Sequence, residues 1–234
     1  MEYEAVFKEA VLTVSNFLRD LGVTWSLIDE LMAPEDVSRI AENCIAQLAT
    51  FAIQYATAQL LKSWKIHPSA VIGHSLGEFA AACVAGIITV KEAVKLALAR
   101  STLQDRCANN GSMAALGMSE VKAEELLLTL KLSPSLDIAA INDANSVTVS
   151  GKSQSIKALG EHLSTHAKDT FWRVLGTNHA FHSLHMEPIK KPFQGAVEAM
   201  HLNLKLSKVP MYSTVEGEVI SSQHLNNDYW WRNI

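Results

Sequence analysis

The sequence predicts an α/β protein in which a large α/β part is interrupted by a smaller part with its own pattern. In the first part, a long apolar helical segment, a short apolar strand over residues 69–73 and an alanine-rich helical segment follow one another. From Ser112 the pattern changes to β-α-β-β-α-β and continues to about Thr177. We therefore predict a large part comprising residues 1–111 and 178–234 and a small part comprising residues 112–177.

The large part begins with two predicted helices. Apolar residues recur at helical spacing between Glu4 and Leu21, and Gly22 is typical of a helix end. A second helix is predicted over 43–64, where nearly every side is apolar, before Pro68 interrupts the pattern.

A third helix is predicted after the alanine-rich segment. Thr89 and Glu92 have the spacing of a capping box, which indicates where this helix begins. The pattern predicts that it continues to Asn110-Gly111, with Arg100 in its middle. Leucine and alanine occupy positions 96–99 just before Arg100, which favours a buried position over a surface charge.

Strands and helices alternate in the small part. The predicted strands are 113–118, 136–142, 146–151 and 170–176, and the predicted helices are 119–130 and 153–166. This order is that of the split β-α-β, or ferredoxin-like, unit. After it the large part resumes with a helix through 186–200, a strand over 209–215 and a tryptophan-rich end.

Composition excludes several classes of partner. The net charge is −4 and the basic residues are scattered, so no nucleic-acid-binding surface is predicted. The longest apolar run, 79–88, is too short for a bilayer, and the N-terminus carries acidic residues where a signal peptide needs basic ones. Three widely spaced cysteines suit reduced thiols. We expect a cytoplasmic protein with no membrane partner.

A serine between two glycines is the first candidate for chemistry. Ser75 lies in the stretch Gly-His-Ser-Leu-Gly, between the short strand and the alanine-rich helix. In this context the hydroxyl is expected to stand exposed on a tight turn, and the Leu76 N–H at the helix start is a candidate oxyanion donor. A glycine-rich turn with a capping serine is the alternative interpretation.

Three histidines follow the small part and include the candidate base. His179, His182 and His185 lie in the segment NHAFHSLHMEP, where only Glu187 could support a metal site. We therefore expect a general base among these histidines and no metal.

Several motifs together resemble one family. GHSLGE, the helix with Arg100, NHAFHS and PMYSTVEGEV followed by YWWRNI resemble the acyltransferase domain of polyketide synthases. That family is related to malonyl-CoA:acyl-carrier-protein transacylases and to the acyltransferase of fatty acid synthase. The resemblance spans nearly the whole chain. It implies an α/β-hydrolase-like large subdomain with an inserted ferredoxin-like small subdomain.

The resemblance also implies roles for individual residues. Ser75 matches the acylated serine, and His182, the last residue of HAFH, matches the base. Arg100 matches the arginine that holds the malonyl carboxylate, and Gln47 matches the glutamine that lines the acyl pocket, although Leu48 replaces the usual proline. Asn142 matches a small-subdomain asparagine near the pocket.

Substrate selectivity is implied by the segment HAFH. His179 and Phe181 belong to this segment, which resembles the malonyl-selective version of the family, whereas methylmalonyl-selective members more often have YASH. A phenylalanine at position 181 would crowd the space that an α-methyl group needs. The resemblance thus implies a preference for malonyl over methylmalonyl groups.

The implied reaction transfers malonyl from coenzyme A to the phosphopantetheine thiol of an acyl carrier protein, in polyketide or fatty acid biosynthesis. No bound cofactor is expected, and the implied partners include neighbouring ketosynthase and carrier domains of a longer synthase. The family's GQG loop and its C-terminal end are not found, so a fragment of a longer domain is expected. A serine hydrolase or thioesterase, or an inactive docking domain, are the alternatives.

Overall fold

The computed structural model describes residues 4–108 and 110–234. In chain order its elements are α1 (Ala5–Asp20), α2 (Leu27–Met32), α3 (Asn43–Ser63), β1 (Val71–Gly73), α4 (Gly77–Val84), α5 (Val90–Gln104), β2 (Gly111–Leu116), α6 (Glu120–Thr129), β3 (Leu136–Asp143), β4 (Ser146–Lys152), α7 (Ser153–His166), β5 (Trp172–Val174), α8 (Lys190–Ala199), β6 (Met211–Ser213), β7 (Val219–Ile220) and α9 (Asn227–Arg232). The chain is an α/β protein, as predicted.

The chain divides into two compact units. The first consists of Met1–Thr102 and Pro192–Asn233, and the second of Leu103–Lys191 and Ile234. The subdomain boundaries that the sequence suggested, at residues 112 and 177, stay a prediction.

The first unit packs helices against a short sheet. β1 pairs in parallel with β6, and β6 pairs antiparallel with β7. α3 packs against α1 and α4, and α4 packs against β1. The largest buried side chains include Phe51, Phe79 and Trp230, and the Phe79 and Trp230 rings are 5.0 Å apart between centroids. This core fixes α4 against the end of β1.

The predicted helices of the first unit are present. Gly22 follows α1 with a φ of +85°, the left-handed conformation that a glycine adopts without steric penalty. The capping box of α5 is also formed, because the Glu92 N–H donates to Thr89 Oγ1 at 3.2 Å and the Thr89 N–H donates to the Glu92 carboxylate at 2.7 Å.

The prediction that α5 continues to Asn110-Gly111 is wrong. α5 ends at Gln104 and a 3₁₀ turn follows over Asp105–Cys107. Gly111 is the first residue of β2, and a Cβ there would be 2.4 Å from the Ala180 backbone nitrogen. The close approach of the Ala180 backbone, and not a helix end, requires glycine at this position.

The second unit contains the predicted β-α-β-β-α-β order. Its antiparallel sheet has the strand order β3-β4-β2-β5. α6 and α7 pack on the sheet, and their apolar side chains meet those of β2 and β4 in a core that includes Leu116, Val147 and Leu159. Trp172 of β5 packs against Gly160 of α7, where a Cβ would be 2.3 Å from the indole ring.

Three details differ from the sequence expectation. The predicted helix over 186–200 is a 3₁₀ turn, Leu184–Ile189, followed by α8, and Pro188 lies inside the turn. The short elements α2 and β7 were not predicted.

Within residues 4–108 and 110–234, no helix combines the length and the apolar character needed to cross a membrane.

Candidate active site

Ser75 occupies a sharp turn between β1 and α4. Its φ is +53°, which is uncommon for a non-glycine residue and marks local strain. Gly73 makes the turn possible, because a Cβ at this position would be 2.2 Å from the backbone carbon of Gly77. The tight strand-turn-helix geometry that the sequence predicted is therefore present.

Leu76 lies at the start of α4. It has helical φ and ψ angles of −52° and −33°. The next amides are used inside the turn, because the Gly77 N–H donates to the His74 carbonyl and the Glu78 N–H to the Ser75 carbonyl. Among the described residues, none accepts a hydrogen bond from the Leu76 N–H. This amide is placed at the positive end of α4, beside Ser75.

Arg100 of α5 reaches the serine. Its side chain is buried, and Nη2 donates to Ser75 Oγ at 2.7 Å. Nη1 donates to Asn233 Oδ1 at 3.3 Å, and the guanidinium carbon lies 5.8 Å from the centre of the Phe79 ring. Within the described part of the chain, the buried Nε has no hydrogen-bond partner. The structure thus brings two predicted site residues, Ser75 and Arg100, into direct contact.

The burial of Arg100 changes its acid-base behaviour. Desolvation lowers the pKa of the guanidinium to about 10, although the negative charge of Glu78 opposes the shift. At neutral pH the guanidinium still carries its charge. A buried cation beside a serine hydroxyl suits the binding of an anionic group.

A buried polar cluster lies behind the serine turn. Glu78 of α4 has no solvent exposure and accepts hydrogen bonds from the Thr214 N–H at 2.7 Å and from the Tyr229 hydroxyl at 2.6 Å. Asn233 Nδ2 donates to Glu78 Oε2 at 3.2 Å and to the Ser75 carbonyl at 3.0 Å. Burial is the main cause of the raised pKa of Tyr229, and the hydrogen bond to Glu78 adds to it.

Sequence reasoning missed this cluster. Glu78 ends the motif GHSLGE, Thr214 lies in PMYSTVEGEV, and Tyr229 and Asn233 lie in YWWRNI, but these motifs alone do not indicate that the four residues touch. Thr214, Tyr229 and Asn233 lie more than a hundred residues away from Glu78 along the chain.

Gln47 of α3 is linked through hydrogen bonds of Asn43 to the residue that follows Arg100. Its Nε2 donates to Asn43 Oδ1 at 2.5 Å, and Asn43 Nδ2 donates to the Ser101 carbonyl at 3.0 Å. Ser101 directly follows Arg100, and its hydroxyl donates to the Cys44 thiol. These bonds tie α3 to the residue next to Arg100.

His182 lies in the second unit, in an unusual backbone conformation. Its φ is +56°, and its N–H donates to the Ile234 carbonyl at 3.2 Å. The Ser183 hydroxyl donates to the Ala180 carbonyl at 2.7 Å and closes the turn around His182. Like Ser75, His182 is a non-glycine residue held in a left-handed conformation.

His179 and Phe181 form a stacked pair in the same segment. Their ring centroids are 4.9 Å apart and the rings are nearly parallel, at 6°. His179 is buried, and its Nε2 lies 3.4 Å from Asp105 Oδ1. Burial lowers the pKa of His179, and the Asp105 carboxylate opposes the shift. Asp105 was not singled out from the sequence, although it begins the turn that follows α5.

Asn142 is placed differently from the other predicted site residues. It is exposed near the end of β3, and its Nδ2 donates to Thr148 Oγ1 at 3.1 Å. The side chain thus bonds within the β3–β4 hairpin. In the described residues, no three His, Cys, Asp or Glu side chains are arranged to hold a metal ion.

One family model matches the full length of the chain. The model described as acyl transferase domain matches residues 1–234. The chain is 32% identical over 241 residues to the highly reducing polyketide synthase sdnO of Sordaria araneosa, covering 100% of this chain and 8% of that protein. It is 35% identical over 231 residues to the highly reducing polyketide synthase gloL of Glarea lozoyensis, covering 97% and 9%. The chain therefore spans less than a tenth of each of these relatives.

Solved structures agree with this family. The acyltransferase domain from module 8 of the salinomycin polyketide synthase superposes with a TM-score of 0.89 at 27% sequence identity. The match covers 98% of this chain and 52% of that one.

Proposed function

The chain belongs to the acyl transferase domain family, and from this premise we propose that it transfers a malonyl group from coenzyme A to a carrier protein. Ser75 carries the group as an ester between the two half-reactions. The acceptor is the phosphopantetheine thiol of an acyl carrier protein. The reaction is thus a double displacement that begins and ends with Ser75 unacylated.

The contact between Arg100 and Ser75 is the observation that carries this proposal. A malonyl thioester has a carboxylate one methylene away from the carbonyl that the serine attacks. Arg100 Nη2 lies 2.7 Å from Ser75 Oγ, so one substrate can present its carboxylate to the guanidinium and its thioester to the hydroxyl. An acyl group without a carboxylate would leave this buried cation without an anionic partner.

The proposed chemistry needs one base. Ser75 Oγ attacks the thioester carbonyl, and the hydroxyl proton passes to the His182 imidazole. The Leu76 N–H stabilises the oxyanion, and the departing coenzyme A sulfur takes the proton from His182. In the second half, the carrier thiol gives its proton to His182 and its sulfur attacks the ester carbonyl; the ester C–O bond breaks, and His182 gives the proton to the departing Ser75 Oγ. A thioester is already activated, so a Ser-His dyad is sufficient.

The remaining predicted residues are proposed to shape the acyl pocket. Gln47 and Asn142 contribute polar groups. His179 supports Phe181 by stacking, and the Phe181 ring excludes the α-methyl group of methylmalonyl. The pocket is thereby selective for malonyl.

The proposed context is a larger cytoplasmic synthase. The two relatives compared above are polyketide synthases of which this chain spans 8% and 9%. Ketosynthase and carrier domains of the same polypeptide are the proposed neighbours. The substrate is an acyl-CoA thioester, and no bound cofactor is needed.

Time-resolved intact-mass spectrometry separates a transferase from a hydrolase. The chain is mixed with malonyl-CoA, and the malonylated protein is followed with and without a phosphopantetheinylated carrier protein. A transferase keeps its acyl group until the carrier is added and then passes it on. Rapid release of free malonate without a carrier would indicate a hydrolase, and no labelling of the protein would indicate an inactive domain.

A further inference from the structure

Glu78 is a buried carboxylate that the reaction described above does not use. It lies three residues after Ser75, has no solvent exposure and accepts four hydrogen bonds. Within the described residues, no lysine or arginine lies at ion-pair distance from it. Burying a charge without an ion partner is unfavourable unless hydrogen bonds satisfy it. The four hydrogen bonds satisfy the buried Glu78 carboxylate, and one of them comes from Asn233.

The contacts of Asn233 connect Glu78 to the reacting groups. The Nδ2 amide donates to Glu78 Oε2 at 3.2 Å and to the Ser75 carbonyl at 3.0 Å. The Oδ1 oxygen of the same amide accepts from Arg100 Nη1 at 3.3 Å. One planar amide thus touches the carboxylate, the backbone of the nucleophile and the guanidinium.

The acceptors around Asn233 set the direction of this amide. The Glu78 carboxylate oxygens accept every hydrogen bond described for this residue, so they favour the orientation that points Nδ2 toward Glu78, as does the Ser75 carbonyl. In that orientation Oδ1 must face Arg100. We propose that Glu78 is a positioning residue for acyl transfer that acts through Asn233 and holds Arg100 in place for the substrate carboxylate. This inference rests on the proposed function.

A neutral amide at position 78 would remove this control. In Glu78→Gln an NH₂ group replaces one of the two carboxylate oxygens. In one orientation it would face the Thr214 N–H and hydroxyl, and in the other it would face the Tyr229 hydroxyl and Asn233 Nδ2, all of which donate to Glu78. If Asn233 turns over to accept from this NH₂ group, its Nδ2 then faces the Arg100 guanidinium, and the Ser75 carbonyl loses its donor. Two donors facing each other push Arg100 away from its position.

The test is the ratio of kcat/KM for malonyl-CoA to kcat/KM for acetyl-CoA. Loss of a hydrogen bond to a charged group corresponds to roughly a 10–100-fold change. We expect Glu78→Gln to lower the malonyl-to-acetyl ratio by that factor, because only malonyl depends on Arg100. An unchanged ratio, with both substrates slowed equally, would make Glu78 merely structural and overturn the inference.

Tyr229→Phe is the matched control. It removes another hydrogen bond to Glu78 Oε2 and leaves the contact between Glu78 and Asn233 in place. We expect a lower melting temperature with the malonyl-to-acetyl ratio retained. A ratio that falls equally in Tyr229→Phe and Glu78→Gln would mean that general loosening, and not the amide of Asn233, sets selectivity.

Asn233→Leu tests the route of the effect and covers the case in which Glu78→Gln does not fold. This variant deletes the bond to Arg100 and should lower the ratio by itself. Glu78→Gln added to Asn233→Leu should lower it no further, and an additive loss would show that Glu78 does not act through Asn233. An unchanged ratio in Asn233→Leu would also overturn the inference.

Binding separates failure of this inference from failure of the proposed function. Calorimetric titration of malonyl-CoA and acetyl-CoA into Ser75→Ala, with and without Glu78→Gln, requires no turnover. A selective loss of malonyl-CoA affinity in the double variant is expected. If Ser75→Ala binds malonyl-CoA and Glu78→Gln does not alter that affinity, only the positioning role fails. If Ser75→Ala binds neither malonyl-CoA nor acetyl-CoA, the proposed function fails as well.

Discussion

Replacing Arg100 with alanine should make the protein lose malonyl transfer selectively. The guanidinium is buried, donates to Ser75 Oγ and Asn233 Oδ1, and lies over the Phe79 ring. Although burial lowers the pKa of Arg100 to about 10, the group is charged at neutral pH. In Arg100→Ala the malonyl carboxylate would enter a desolvated site without its cation.

The size of the effect follows from this burial. Breaking a buried charge pair by removing one partner is worth about 3–5 kcal/mol, and each 1.4 kcal/mol is tenfold, so malonyl transfer should fall roughly 10²–10³-fold. Acetyl has no carboxylate to lose a partner, so its transfer should hold or rise. The assay is kcat/KM for both thioesters in the parent and in Arg100→Ala.

Arg19→Ala is the control for this experiment. Arg19 is exposed near the end of α1, so its removal should leave both rates unchanged. If malonyl and acetyl transfer decline by the same factor in Arg100→Ala, Arg100 supports the fold and does not bind the substrate carboxylate. That result would remove Arg100 from the binding site and strengthen a serine hydrolase interpretation.

Three further predictions concern the segment around His182. His182→Ala should slow acylation by roughly 10²–10⁴-fold because it removes the general base, whereas the control His185→Ala should not slow it. Stopped-flow release of coenzyme A measures both variants, and a His182→Ala rate equal to that of the parent would place the base elsewhere. Phe181→Ser should raise the loading of methylmalonyl relative to malonyl, measured by competition between the two CoA thioesters. A methylmalonyl-to-malonyl loading ratio equal to that of the parent would contradict this prediction. Burial lowers the pKa of His179, so the unfolded chain binds its proton more tightly. The free energy of unfolding should therefore fall as the pH drops below about 6.5, and denaturant titrations should show a smaller fall in His179→Asn.

Much of the fold was predictable because its signals are local. Gly22, the capping box of Thr89 and Glu92, and the turn around Ser75 each depend on residues within a few positions of one another. The β-α-β-β-α-β order of the second unit likewise follows from periodicity along the chain.

The rest depends on distant contacts. Gly111 looks like a helix end in the sequence, but it pairs with Lys152 of β4, and the close approach of the Ala180 backbone leaves no room for a side chain. The buried environment of Glu78 is not evident from its local sequence, because its donors Thr214, Tyr229 and Asn233 come from the other end of the chain. A two-residue strand such as β7 has no periodicity to detect.

The candidate site shows the same division. Ser75 and Arg100 were predicted and lie in contact, but Asn233, which bonds to both, was not predicted. Asn142 matches a pocket residue by resemblance, which stays a prediction, and its bond to Thr148 within the β3–β4 hairpin was not foreseen. A motif identifies which residue types are present, whereas hydrogen bonds between distant segments decide their partners.

The most direct test of the proposed mechanism is to map the acyl group after brief reaction with malonyl-CoA. The protein is denatured, digested and sequenced by tandem mass spectrometry, with Ser75→Ala treated in parallel. We expect one malonylated residue, Ser75, in the parent and no malonylated peptide in the variant. A malonyl group on another residue, or equal labelling of Ser75→Ala, would contradict the claim that Ser75 carries the acyl group.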